Sequence, residues 1–338
     1  MTGRPLAPTL GLAAICAASF AASLSLGAGP AGPAEAARAL VAYDPERYAD
    51  ALVVLQRLPR ALIAVYVGAA MAVAGALMQG LTRNPLAAPA TLGVNAGAAL
   101  FLVAGIVLFD LGLAAQGMAA LLGALAGFAA CLGVARIAGA GVERRGMLLV
   151  VAGALVSMLM VALANAMLLA DPARRMDLLA FIVGNINHAY VDRLARFWWI
   201  GAGALAALMV LHRPLTLITL GADKAASAGV AVAWTGRAGL ALAALAAGSA
   251  VAVAGPIGFL GLVVPHMVRP FVGSAFGALL PAAALAGAAA ALLADIVAHQ
   301  AFLPFVVHTG VVMDLLGGAA FVVIVRRAYR RRLAGARA

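Results

Sequence analysis

The chain has 338 residues, is 65% hydrophobic and 10% charged, and carries a formal net charge of +11; its mean hydropathy is +1.07. A water-soluble fold of that length cannot hide so much apolar surface, so the composition excludes a soluble protein and predicts an all-α polytopic membrane protein. The basic excess does not point to nucleic acid, because the arginines gather at the ends of apolar runs and in the tail, with no interleaved aromatic patch.

Arg4 precedes an apolar run from Leu10 to Leu26. Ala34-Glu35-Ala36 resembles a leader-cleavage site, but removal of the run would leave an odd number of spans, so it is expected to be a retained first span. Residues 29–56 are polar and rich in Pro and Gly, and are expected to form an external loop carrying a short surface helix. Further apolar runs fall at 58–80, 92–109, 114–137, 147–169, 194–211, 236–254, 256–272, 279–299 and 305–326, which makes about ten spans. Closely spaced Gly and Ala suit a bundle whose backbones approach closely. Cys16 and Cys131 both lie inside apolar runs and are expected to be buried free thiols.

Positive charge sets the expected orientation. With both termini in the cytoplasm, Arg4, Arg83, Arg136, Arg144, Arg145, Arg213, Lys224, Arg237, Arg269 and the tail Arg326, Arg327, Arg330, Arg331, Arg332 and Arg337 all lie inside. Arg38, Arg47, Arg57, Arg60, Arg174, Arg175, Arg193 and Arg196 lie outside, mostly beside acidic residues. The tail reads as a membrane-surface anchor on acidic lipid.

The most informative stretch is Gly255 to Arg269. It opens on the helix-breaking Gly255-Pro256, runs apolar for two or three turns through Pro265, and closes on His266 and Arg269. It is too short for an ordinary span and too apolar for a surface loop, and broken backbone at membrane depth survives only beside protein or a water-filled cavity. It is therefore expected to wall a translocation path. A second copy of the theme lies 180 positions upstream, where Gly68 to Gly75 matches Gly248 to Gly255 at six of eight positions. Pro85 and Pro265, Gly93 and Gly273, and Gly97 and Gly277 keep the same offset. Two inverted-topology halves, roughly 57–200 and 237–326, are expected to share one path.

No phosphate-binding loop, nucleophilic triad, metal-ligand spacing or Cys-x-x-Cys pair occurs, so neither an ATPase nor a hydrolase is expected on this chain. An ion-coupled carrier would need ionisable groups within its spans; the candidates are Asp295, His299, His308 and Asp314, with Asp295 and His299 one helical turn apart. The loop 213–237 contains Leu220 to Val230, which reads as a short helix between Gly221 and Gly229, either lying on the bilayer or gripped by a separate motor. Arg57 and Arg60 flank Pro59 ahead of the second span, where guanidinium groups anchor to headgroups or clasp carboxylates of a soluble partner.

The sequence resembles FecCD-type permeases, the membrane subunits of bacterial ABC importers for iron-siderophores, haem and vitamin B12. The amino half carries it in Arg57-Leu58-Pro59-Arg60, Gly75 to Gln79, Arg83-Asn84-Pro85-Leu86-Ala87, Leu92-Gly93 and Gly97-Ala98; the carboxyl half does so in Gly255 to Arg269, Leu280-Pro281 and Ala294 to Ala298. The resemblance implies an inner-membrane permease, with a ferric siderophore as the expected cargo and haem or cobalamin as the alternatives. It would work as a homodimer or paired with a second permease subunit, with two cytosolic ATPases and a periplasmic or lipid-anchored binding protein. ATP and Mg would belong to the ATPases, with no cofactor on this chain. It implies that Gly221, Ala222, Asp223, Lys224, Ala225, Ala226, Ser227, Ala228 and Gly229 couple to the ATPase. Asn84 and Leu86 would gate the cytoplasmic end, Arg57 and Arg60 would meet glutamates of the binding protein, and Gly75, Gln79, Gly255, Pro256, Pro265, His266 and Arg269 would line or support the path. The chain departs from the family pattern where His299 replaces an arginine, where Val306 to Gly310 replace a Glu-Leu-Pro-x-Gly run, and where Asp314 replaces a small residue. A pH-sensitive contact through His299 or His308 is one expectation from that departure.

Overall fold

The structure, a computed structural model, describes residues 6–27, 29–139, 145–170, 182–301, 305 and 307–335. Arg4, Arg144, Arg174, Arg175 and Arg337 lie outside the described residues, and the side chains of Arg145, Arg327, Arg330, Arg331 and Arg332 are likewise not described. Among the described residues the elements are helical: α1 (Leu6–Ser25), α2 (Pro33–Val41), α3 (Tyr48–Thr82), α4 (Val94–Phe109), α5 (Leu113–Ile137), α6 (Arg145–Ala170), α7 (Val191–Val210), α8 (His212–Leu220), α9 (Ala222–Ser227), α10 (Val232–Ala254), α11 (Leu260–Val272), α12 (Phe276–Gln300) and α13 (Thr309–Gly335). Seven of them are long and apolar enough to cross a membrane, and α4, α11 and the Thr309–Val323 part of α13 are shorter apolar helices. Seven and three together account for the ten spans.

α3 is the axis of the bundle. Its residues from Ala70 to Gln79 are all buried, and it packs against α10, α11 and α12. Lipid tails are as apolar as leucine, so burial from water does not hold such helices together. Close backbone contact does. A Cβ on Gly68 would run into the Gly287 carbonyl of α12, and one on Gly75 would run into the Gly261 carbonyl of α11. α4 and α5 close on each other in the same way, through Gly93 and Gly97 against Gly123 and Gly127.

Two boundaries differ from expectation. The helix of the second span begins at Tyr48 rather than near residue 58, so only part of 29–56 is loop, with α2 as its short helix. Residues Leu52–Arg57 widen into π geometry, directly before Pro59. Proline lacks the N–H that would return to the carbonyl four residues earlier, and a wider turn relieves that missing bond. The repeated octets fall in the second and seventh spans, α3 and α10, and both are largely buried. They then diverge: α3 continues to Thr82, whereas α10 stops at Ala254.

The α3–α11 contact leaves no room for a side chain. Replacement of Gly75 by Leu is expected to destabilise the folded protein by about 3 kcal/mol or to prevent folding, seen as a fall in the unfolding temperature of the purified chain. Gly133→Leu, at a glycine with nothing near its would-be Cβ, is expected to leave that temperature unchanged.

Candidate translocation site

Between α10 and α11 the chain is unwound from Gly255 to Phe259. Gly255 sits at φ 77° and Phe259 at φ 58°, a conformation that costs a non-glycine residue energy. Each peptide group freed here needs a partner. The Ala254 carbonyl accepts from Asn185 N–H at 2.8 Å. The Ile257 carbonyl accepts from the Asn95 Nδ2 of α4 at 3.3 Å, and the Gly258 backbone bonds the Asp314 carboxylate of α13.

Inside α11 the defect is Pro265. Its missing N–H frees the Gly261 carbonyl one turn earlier. Gln79, only 3% exposed, donates its Nε2 to the Gly261 and Leu262 carbonyls, both at 3.1 Å. His266 Nδ1 lies 2.9 Å from the Leu262 carbonyl. Gly75 and Gln79 are one turn apart on α3, so the glycine admits α11 and the glutamine satisfies the carbonyl that the proline releases.

At the Arg83 end of α3, Arg83 closes the helix in left-handed geometry and donates Nη2 to the Ile218 carbonyl of α8 at 3.2 Å. Asn84 donates Nδ2 to the Gly146 carbonyl at the start of α6 and accepts from Leu86 N–H at 2.9 Å. Asn84 thus shapes the turn that presents Leu86, 43% exposed. Arg269 donates Nη2 to the Ala76 carbonyl at 3.4 Å. Nearby, α9 stands between Gly221 (φ 143°) and Gly229 (φ 80°). Only Ala225 is buried; Ala222, Asp223, Lys224, Ala226, Ser227 and Ala228 are all exposed.

The Arg60 end corrects the docking expectation. Arg57 is 2% exposed and donates Nη1 to the carbonyls of Leu24 at 2.8 Å, Ser25 at 3.1 Å and Ala31 at 2.8 Å. It fastens the end of α1 and has no surface to offer a soluble partner. Arg60 Nε lies 2.9 Å from Asp295 Oδ2, with the two side chains 13% and 0% exposed. An arginine at a span end reads alike in sequence whether it faces water or turns inward; here the buried Asp295 carboxylate and the main-chain carbonyls at the end of α1 decide.

The four-residue polar cluster divides. Asp295 also accepts from Thr309 Oγ1 at 3.1 Å, and His299 Nδ1 lies 3.4 Å from its Oδ1 and 2.9 Å from its backbone carbonyl. Asp314 is not in that group: it is exposed on α13 and attached to the unwound segment. The His308 backbone carbonyl accepts from Val311 N–H. Sequence reasoning missed Asn95, Asn185 and Thr309. Asn95, a carboxamide inside an apolar run, was the one visible signal.

Residues 15–327 match the model of the FecCD transport family. The chain belongs to that family. It is 35% identical over 275 residues to a probable siderophore transport system permease protein of Bacillus subtilis, covering 80% of this chain and 81% of that one. It is 37% identical to the ferric enterobactin transport system permease protein of Escherichia coli, covering 83% and 84%, and 35% identical to the hemin transport system permease protein of Yersinia pestis, covering 82% and 83%. A solved structure described as a metal-chelate type ABC transporter in an inward-facing conformation shares the fold, with a TM-score of 0.80 at 24% identity over 95% of this chain and 99% of that one. As a FecCD member, the chain is a multi-pass permease subunit of an ABC importer.

Two substitutions test the site. Gln79→Leu strands the buried Gly261 carbonyl and is expected to cost about 1–3 kcal/mol, read as a lowered unfolding temperature. Asp295→Leu leaves Arg60 buried and unpaired and is expected to cost about 3–5 kcal/mol, with Arg60→Met in the same chain restoring most of it. A double variant no more stable than Asp295→Leu alone would contradict the pairing.

Proposed function

We propose that this chain carries a ferric siderophore across the inner membrane, fed by a substrate-binding protein and driven by separate ATPase subunits that grip α9. The observation that carries the reading is membership of the FecCD family together with relatives named for ferric-chelate transport. Both termini are read as cytoplasmic, from the distribution of arginine. The Arg83 end of α3 then faces the cytoplasm, and the Arg60 end faces the binding protein.

The geometry supplies a route for the stroke. α9 is exposed apart from Ala225 and continues directly from α8 through Gly221. α8 in turn is tied to the end of α3 by Arg83 on Ile218 and to the start of α12 by Phe276 N–H on Thr216 Oγ1 at 3.0 Å. A displacement of α9 therefore reaches two spans that flank α11. Alternating access follows when those spans rock about their glycine contacts and the Leu86 turn opens. This chain performs no bond chemistry in that cycle. Asn84 and Gln79 keep the peptide groups satisfied while it moves.

The hemin relative supports haem as a second cargo reading. Uptake of radiolabelled ferric siderophore, haem and cobalamin by vesicles containing the assembled transporter and its binding protein separates the readings. Siderophore uptake is expected, lost when the ATPase is inactivated and absent with an ion gradient alone; gradient-driven accumulation without the ATPase would overturn the reading. Ala226→Trp, on the exposed face of α9, is expected to lower uptake about tenfold or more with the unfolding temperature unchanged.

A further inference from the structure

A cavity of about 260 Å³ opens at the Arg83 end, lined among others by Gln79, Arg83, Thr219, Arg269 and Ser274. It lies among α3, the turn after it, α8, α11 and the turn into α12. No aspartate or glutamate is among its lining residues, and neither Arg83 nor Arg269 has a carboxylate partner among the described residues. Each guanidinium has one bond to a main-chain carbonyl, Ile218 for Arg83 and Ala76 for Arg269. A guanidinium has five N–H donors, so most of both forks remains for another acceptor.

The third feature is Gln79. Its Nε2 is committed to α11, while its buried Oε1 finds no donor among the described residues. A buried carbonyl oxygen without a donor costs free energy and calls for a hydrogen from elsewhere. Two cationic forks together with one acceptor specify an oxyanion that also carries a hydrogen. A carboxylate fits the forks but has nothing to give Gln79 Oε1. Hydrogen phosphate, or a phospholipid whose headgroup hydroxyl accompanies its phosphate, fits both.

We propose that this cavity is a phosphate site, in which Arg83 and Arg269 hold the oxyanion and Gln79 Oε1 accepts its hydrogen. Ser274 adds a hydroxyl group to the lining. A bound phosphate group joins the end of α3 to α8 and α11. If the coupling role of α9 proposed above holds, occupancy restrains the element that α9 must move, and phosphate slows the stroke. The binding itself does not depend on that role.

The test uses the full chain, purified in an uncharged detergent at neutral pH and constant ionic strength. Its unfolding temperature is followed against inorganic phosphate, acetate, dihexanoyl-phosphatidylglycerol and dihexanoyl-phosphatidylcholine. A saturable rise of about 3 °C or more with phosphate is expected, and its loss in Arg83→Gln, at an exposed side chain whose removal spares the core, and in Ser274→Asp, which places a competing carboxylate in the cavity. A rise with phosphate assigns the site to soluble phosphate; a rise confined to the phosphatidylglycerol arm assigns it to a lipid headgroup, and either supports the proposal. No rise in either arm, an equal rise in both variants, or an equal rise with acetate, which would point to an acidic side chain of a protein partner, overturns it.

Discussion

The structure depends on how peptide groups are satisfied where helices break away from water. Gly255 to Phe259 and Pro265 together release carbonyl and N–H groups that a continuous helix would pair with itself. An unpaired buried group costs about 1–3 kcal/mol, and several left together would be comparable with the stability of a typical domain. Asn185, Asn95, Gln79 and Asp314 reach in from four different parts of the chain to meet them. The break therefore acts as a hub that cross-links the bundle by polar contacts where lipid offers no hydrophobic drive for association.

The same constraint explains the distribution of glycine. A carboxamide on α3 reaches a carbonyl on α11 only when the two backbones nearly touch, and Gly75 and Gly261 permit that approach. At the other end, a buried ion pair between Arg60 and Asp295 links α3 to α12, and Thr309 extends the link to the first residue of α13. Such a pair adds little net stability against a well-packed apolar alternative. Its value lies in specifying which helices meet.

Much of the fold was legible in the sequence. Apolar runs mark all ten spans because a membrane helix needs length and apolarity and little else. The short helix α9 was legible because two glycines bracket it, and Gly221 and Gly229 do take positive φ. The roles of Arg57 and Arg60 were not, since their partners are three main-chain carbonyls near residues 24–31 and an aspartate 235 positions away. Carbonyl acceptors carry no side-chain signature, and a distant aspartate is one of several. The start of α3 was obscured because Pro59 punctuates the sequence as a boundary, whereas the helix absorbs it through a wider turn. The pairing of Gln79 with Pro265 was invisible for a related reason: neither residue signals the other until the register of α3 against α11 is known.

Arg57 also bears on the order of biogenesis. α1 ends in the Leu24 and Ser25 carbonyls, the Ala31 carbonyl follows just before α2, and the group that bonds all three is synthesised about thirty residues later. The seating of α1 is therefore complete only when α3 lies against it and brings Arg57 to those carbonyls.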